Sequence, residues 1–583
     1  MKDAKELSAE SRLLLAVTLS ILVLGVWMYL FPPKKPAPLP ATPPPAQSAP
    51  AQPGTSPAAP APVAGASRQT PMESGQAPAA EAASEEQTLV VENDLYRVEL
   101  TNRGGVVQSW QLKKYRDSGK PPETLDVVHK EAAQQLGGWP LSVALEEPQQ
   151  AEWEKLANSA LYSVVRGGGS PRAPGPVVLE WSDGRLAVSK RLDFAHDYVI
   201  GVETQVSFDG KPLAHSVAWR SGFGDATVYN PAERVTVFYR TEGKLSSLAY
   251  KKLGNPDHRD ERLRQSGTME YAGMQDHYFA AAFLPRGAGL AFWHWQQGRE
   301  ITREGKKVKE PVAEMSAGST VAGPVALRLF VGPKDLDVLG GLNPPMRELV
   351  DFGMFQLFAA PLFYFLKWIY NLSWVQNYGW AIVLMTIVLN TALFPLKLKS
   401  WRSMQKMQRV APEIQAIQER YKKYAVRDPR KQEMQREVMA VYKREGVNPF
   451  GSCLPMLIQM PIWIALYSML GVAIELRHAP WALWIRDLSA KDPYYVLPVL
   501  MGVTMYLMQQ MTPMTTTDPA QQQMMKMMPW MFGGLFVIAP VSSGLVLYIL
   551  TSNLVGIAQQ WYLNRTGHPA EDKKEKGKKG KKA

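Results

Sequence analysis

Six stretches of 14 to 22 residues, 13–31, 378–396, 451–471, 493–510, 527–540 and 542–563, contain no Asp, Glu, Lys or Arg. A lipid core offers the backbone no hydrogen-bond partner, so a chain that enters it must close its own bonds as a helix or a barrel. As a helix, residues 13–31 reach about 28 Å, close to the thickness of a bilayer core. Arg12 before this run leaves a cleavable signal peptide as a competing reading. The run is long for one, however, ends in Trp27, Tyr29 and Phe31, and meets Pro32-Pro33 rather than a small-residue cleavage site. Residues 13–31 are therefore expected to be an uncleaved signal anchor, with 1–12 as a cytoplasmic N-terminus.

Fifteen of the 46 prolines and eleven alanines fall between Pro32 and Pro78, with almost no large apolar side chains. Such a segment buries too little surface to offset its ordering entropy, so 32–87 is expected to be a disordered, extended Pro/Ala linker. Residues 88–342 then alternate apolar and polar positions between Gly and Asn turns, as in Tyr198 to Phe208, which predicts a large all-β sandwich. Its His277, His294 and the acids from Asp257 to Glu261 lack metal-ligand spacing and are expected to be ordinary residues. The single cysteine, Cys453, excludes an intrachain disulfide. No catalytic residue, metal, cofactor or small-molecule substrate is expected.

The net charge of +12 is concentrated in two places. Residues 397–445 hold fourteen basic and six acidic side chains, and 565–583 hold eight and three. Short basic segments beside spans are expected on the cytoplasmic side. An even number of crossings must then separate them, and 451–471, 493–510, 527–540 and 542–563 make four. Span 378–396 places the sandwich on the far side, and 13–31 returns the N-terminus to the cytoplasm. The fold class is thus a multi-domain, α-helical, six-span membrane protein with both termini inside and an extracytoplasmic β domain. Residues 347–372 carry Arg347, Glu348, Asp351 and Lys367 among Phe and Leu, which suits a helix lying in the interface.

Residues 397–445 read as a helical hairpin. Met404, Met407, Ala411, Ile414 and Tyr421 recur at helical spacing; Asp428-Pro429 starts a second helix with Met434, Val438 and Val441 on one face. These faces either pack on each other or, through Met404, Met407 and Met434, offer a landing surface for apolar polypeptide. Twenty of the 26 methionines lie from Met346 onward, and thioethers suit surfaces that accept varied apolar sequences. Within the apolar segments, Thr386, Asn390, Gln459, Ser468, Thr504, Tyr548 and Ser552 must find hydrogen-bond partners or line a wet cavity. The segments 493–510 and 527–540 are also short against a core of about 30 Å.

Asn448-Pro-Phe-Gly-Ser-Cys-Leu-Pro-Met-Leu-Ile-Gln-Met-Pro-Ile462, Leu476-Arg-His-Ala-Pro-Trp-Ala-Leu-Trp-Ile-Arg-Asp-Leu-Ser489, Asp492 to Pro498 and Ser543-Gly-Leu-Val-Leu-Tyr548 closely resemble the YidC family of membrane protein insertases. The anchor, linker and β domain match the Gram-negative type with a large periplasmic domain, in which Asn102-Arg-Gly-Gly105 is a weaker motif. The resemblance implies a bacterial inner-membrane location and nascent membrane proteins as clients. It implies a five-helix core with a hydrophilic groove lined by Thr386, Asn390, Gln459, Ser468, Thr504, Tyr548 and Ser552. The client enters from the cytoplasmic hairpin, alone or beside the Sec translocon.

The family commonly has a basic residue where Asn390 stands, five positions before Pro395, and often an aromatic where Ile549 follows Tyr548. A groove without charge is therefore expected, with weaker discrimination for acidic client flanks. Lys573, Lys574, Lys576, Lys578 and Lys579 in the tail suit contact with ribosomal RNA or with anionic lipid. A multi-span transporter or channel with a periplasmic sensor domain is the alternative, but charged intramembrane residues and paired repeats are not evident. A carbohydrate-active β domain is a third reading, without a recognisable acid pair.

Overall fold

The computed structural model describes residues 79–566, apart from 171–172, 229–233, 254–261, 287–289, 304–305, 425–427, 447–453, 513–518 and 539–540. The anchor at 13–31, most of the linker, Asn448-Pro-Phe450, Cys453, the acids from Asp257 to Glu261 and the tail lysines lie outside the described residues.

Residues 79–342 form two antiparallel sheets. Thr88–Glu92, Tyr96–Thr101, Val106–Arg116 and Thr124–Asp126 make a four-stranded sheet, and strands from Ser142–Leu145 to Val325–Pro333 make one of fourteen. Alternation produces the packing: in Val199–Phe208, Ile200, Val202, Thr204 and Val206 are buried while their neighbours are not. The sheets meet through Tyr96, Trp110 and Trp219, whose rings lie 5.8 and 6.2 Å apart in sequence.

Two short helices, α1 (Lys130–Leu136) and α2 (Ala151–Ser159), correct the expectation of an all-β domain. Helices of 7 and 9 residues are too short for periodicity to announce them. The domain also begins before residue 88. Glu81 exchanges backbone bonds with Ser182, and Ala83 donates to Leu161, pairings that no apolar side chain signals. In Asn102-Arg-Gly-Gly105, the Asn102 side chain bonds Gln87 and Tyr162. Buried Lys190 donates to the carbonyls of Gly104, Gly105 and Leu141 at 2.7 to 3.1 Å. Gly104 has φ +70°, and a Cβ there would lie 2.3 Å from the Asn158 carbonyl oxygen, so this motif is structural.

The helical part follows α3 (Leu336–Gly340), which is capped by the Asp335 carboxylate. It comprises α4 (Gln356–Tyr370), α5 (Tyr378–Ala392), α6 (Phe394–Arg420), α7 (Arg430–Arg444), α8 (Leu454–Val472), α9 (Val496–Met511), α10 (Pro519–Ile538) and α11 (Ser543–Thr566). Among the described residues no single helix is long and apolar enough to cross a membrane. The pair α5 and α6 passes together by length and composition, bent by 52° at their break. Pro395 in the first turn of α6 explains the break, because it cannot donate the bond that would continue α5. The predicted segment 378–396 is therefore a helix ending at Ala392, followed by the start of the hairpin.

α4 packs on α5 and α8, with Tyr370 stacked on Tyr378 at 3.9 Å. The connection 473–492 is folded over one end of the core. Leu476, Ile485 and Leu488 are buried, Leu488 and Ala490 accept the amides of Gly544 and Ser543, and Asn377 bonds Pro480. A Cβ on Gly379 would fall 2.2 Å from the Trp481 ring, so glycine admits this close approach.

The sheet domain meets that same end. Arg477 of the connection pairs with Asp225 at 2.6 Å, with the two side chains only 5% and 3% exposed, and its guanidinium lies 5.0 Å from the Phe279 ring centroid. His277 bonds the Gly471 carbonyl at 2.7 Å. The hairpin is at the opposite end of the core, since α5 runs from the connection toward α6.

Candidate functional site

The helical period places Tyr548, Ser552, Gly556 and Gln559 on one face of α11. Tyr548, Ser552 and Gly556 line a cavity of about 310 Å³ together with Asn390 of α5, Lys397 of α6, Gln459 and Trp463 of α8, Met508 of α9, and Ile549 and Asn553 of α11. Ser552 is nine residues, about 14 Å, along α11 from its first residue, and Asn390 is near the end of α5, so the cavity runs from the middle of the core toward the hairpin. A Cβ on Gly556 would lie 2.8 Å from Met508 Sδ, so glycine lets α9 and α11 approach here.

A hydrogen-bonded amide cluster organises the cavity wall. Lys397 Nζ donates to Asn390 Oδ1 at 2.8 Å and to Gln559 Oε1 at 3.2 Å. Asn390 Nδ2 donates to the Thr386 carbonyl at 2.9 Å and to Ser552 Oγ at 3.3 Å, while Gln559 Nε2 donates to the Asn390 carbonyl at 3.1 Å. Gln459 Nε2 reaches Tyr548 Oη at 3.3 Å. The expectation of an uncharged groove at Asn390 is corrected by Lys397, an ammonium held directly against it. Residues 390 and 397 are seven apart, two helical turns, and the bend between α5 and α6 keeps their side chains in contact.

Of the seven residues expected to share a groove, Asn390, Gln459, Tyr548 and Ser552 come together. Thr386 is buried and its hydroxyl bonds the Ile382 carbonyl one turn back. Thr504 bonds the Met501 carbonyl and accepts from Asn553, so it joins α9 to α11. Ser468 lines a different cavity, of about 940 Å³, at the sheet-domain end. Those three are corrections: each hydroxyl or its helix faces another partner. Lys397 and Gln559 were missed, although their seven-residue spacing from Asn390 and Ser552 was a usable signal.

In the hairpin, Val410, Ile414 and Ile417 of α6 pack with Val441 of α7, flanked by Tyr421, Met434 and Val438. Asp428 accepts the Arg430 amide at 2.9 Å and starts α7. Met407 is 6% exposed and lies outside this cluster, while Met434, which packs against it, and Met404 are both half-buried.

Residues 368–571 match the family described as 60Kd inner membrane protein, and 88–365 match the YidC periplasmic domain. The membrane protein insertase YidC of Paraburkholderia xenovorans is 34% identical over 521 residues, covering 86% of this chain and 87% of that protein. The chain belongs to the YidC family of membrane protein insertases. YidC of Nitrosococcus oceani is 33% identical over 546 residues, covering 91% of this chain and 94% of the other. A crystal structure of an active YidC insertase with its first transmembrane domain resolved is 21% identical, covers 83% of this chain and 95% of that one, and has a TM-score of 0.34. As a YidC protein, the chain is an inner-membrane insertase rather than an enzyme, its clients are nascent membrane proteins, and its sheet-rich domain is periplasmic.

Proposed function

We propose that the cavity between α5, α8, α9 and α11 receives the polar flank of a nascent segment, while the segment's apolar stretch passes into lipid. The observation that carries this reading is the cluster of Asn390, Lys397, Gln459 and Ser552 on the wall of a cavity in an otherwise apolar core, with the folded 473–492 connection packed over the other end. Hydrogen-bonding walls reduce the desolvation cost of the flank, and partition of the client's own apolar residues drives insertion. Neither step requires a nucleotide.

In this reading the hairpin and both termini are cytoplasmic and the chain crosses six times, counting 13–31. Large apolar side chains left exposed on the helices support lipid contact: Val499, Leu500, Val503 and Leu507 on α9, and Trp530, Met531, Leu535 and Ile538 on α10. The hairpin guides clients to the cavity mouth through Met404 and its basic residues. The domain boundaries 88–342, 347–372 and 397–445 then correspond to a periplasmic domain, an interfacial helix and a cytoplasmic guide. The lysine tail is the contact for ribosomes or anionic lipid, and the protein acts alone or beside the Sec translocon.

Filling the cavity tests the reading. With Ser552→Trp in liposomes, insertion of a small single-span client is expected to fall several-fold while the thermal unfolding midpoint in detergent stays near that of the unaltered protein. Unchanged insertion by a folded Ser552→Trp protein contradicts the proposal.

A further inference from the structure

The cavity of about 940 Å³ at the sheet-domain end of the core has an apolar side and a polar side. The apolar wall comes from the end of α8 and the start of α11, through Tyr467, Val472, Val541 and Leu545, and Tyr467 is 56% exposed. The polar wall comes from the sheet domain and the 473–492 connection, and its carboxylates are already engaged. Asp225 holds Arg477. Asp276 accepts the amides of Asp225, Tyr278 and Phe279, and Asp351 accepts that of Gly353. Asp487 accepts from Ser489 and faces His478 Nδ1 at 3.4 Å. By contrast, Lys120, Arg234 and Arg486, which line the same cavity, are exposed and pair with no carboxylate among the described residues. His478 Nε2 is buried without a hydrogen-bond partner among them, a position that a polar ligand group satisfies. The cavity therefore offers cations with no anion of the chain to meet them, beside an apolar wall. Exposed Trp374, Leu483 and Tyr494 at this end of the core mark it as the level of the lipid headgroups.

We propose that this cavity binds an anionic phospholipid of the periplasmic leaflet. Its phosphate is held between Arg234 of the sheet domain and Arg486 of the connection, and the first part of an acyl chain lies along Tyr467 and Val541. Guanidinium groups match phosphate oxygens through paired, charge-assisted hydrogen bonds. The volume is that of a site for a headgroup with the start of a chain, and the two unlike walls are what an amphiphile needs. Because its arginines come from both parts of the protein, the bound lipid bridges the sheet domain to the core beside the Arg477–Asp225 pair. The inference does not depend on the client cavity, which is formed by other residues.

The test uses the full chain in phosphatidylcholine vesicles containing a trace of phosphatidylglycerol with a diazirine near the start of one acyl chain, or phosphatidylcholine labelled in the same way. After irradiation, mass spectrometry locates the attached lipid. Two exposed ion pairs predict that the phosphatidylglycerol probe labels 467–472 and 541–545 about tenfold more than the phosphatidylcholine probe. Arg234→Gln combined with Arg486→Gln is expected to remove that excess, while labelling elsewhere and the unfolding midpoint stay as they were. The same two positions changed to Lys are expected to keep most of it. Equal labelling by the two probes overturns the proposal, as does an excess that survives the double Gln variant or one that falls equally over the whole chain. Millimolar inorganic phosphate separates the sources of the anion. Labelling that persists in its presence supports a lipid site, and labelling abolished by it shows a site for free phosphate and overturns the assignment.

Discussion

Glu475 shows how one side chain couples the periplasmic and helical parts to pH. It lies on the connection after α8, with one oxygen 3.8 Å from Lys367 Nζ, and Lys367 also faces Asp335 at 4.0 Å and Asp337 at 2.5 Å. Burial, reinforced by Asp335 and Asp337 and opposed by Lys367, pushes its carboxyl up to about 7. The folded protein therefore holds this proton up to about pH 7, whereas the unfolded chain releases it near 4.5. Glu475 contributes its full stability below pH 4.5, and that contribution declines as pH rises from 4.5 to 7. Glu475→Gln is expected to flatten the change in unfolding midpoint over that window; an identical pH profile in both proteins contradicts the assignment. At this scale the sequence was only partly legible. The polar residue types marked positions that need a partner inside apolar segments, and Asn390, Gln459, Tyr548 and Ser552 line one cavity. Thr386 does not, because a threonine inside a helix has a carbonyl of its own helix within reach. Lys397 was counted with the hairpin because it is the first charge after an apolar run, and composition carries no information about the bend that turns it inward.

Elements were more legible than their ends. The charge-free segment 493–510 is realised as Val496–Met511 and 542–563 as Ser543–Thr566. By contrast, 527–540 belongs to a helix that begins at Pro519, because backbone hydrogen bonding continues through polar residues and Lys526 that an apolarity criterion rejects. Pro395 marked the end of α5, yet the uncharged run carried the reading past it to Leu396. In the hairpin, the helical period identified two facing helices, and Ile414, Tyr421, Met434, Val438 and Val441 do pack together. The face is shifted at its start, where Val410 and not Ala411 joins the cluster. Met434 packs against this cluster while Met407, though buried, lies outside it.

Across the whole molecule, the periplasmic domain and the helical core are joined by a buried ion pair, Arg477 with Asp225, and by the His277 bond to Gly471. Removing one member leaves the other charge buried without its partner, which costs about 3–5 kcal/mol. Arg477→Met is thus expected to destabilise the protein by that order, read as a lower unfolding midpoint and faster proteolytic release of the sheet domain. Arg477→Met with Asp225→Asn, which removes the charge and keeps an oxygen to accept from Thr227, is expected to recover part of it, and an Arg477→Met protein as stable as the original contradicts this. No pattern in the sequence pointed to the pairing, whose members are 252 positions apart. The same long-range packing places the folded 473–492 connection and the cavity bearing Asn390, Lys397, Gln459 and Ser552 toward opposite ends of one core, which is the central claim. Disulfide capture tests it most directly. In a Cys453→Ser background, Ser552→Cys or Ser468→Cys is paired with a single cysteine in the leading flank of a client arrested during insertion. Capture at residue 552 and none at 468 is the predicted result; capture at 468 with none at 552 would contradict the account.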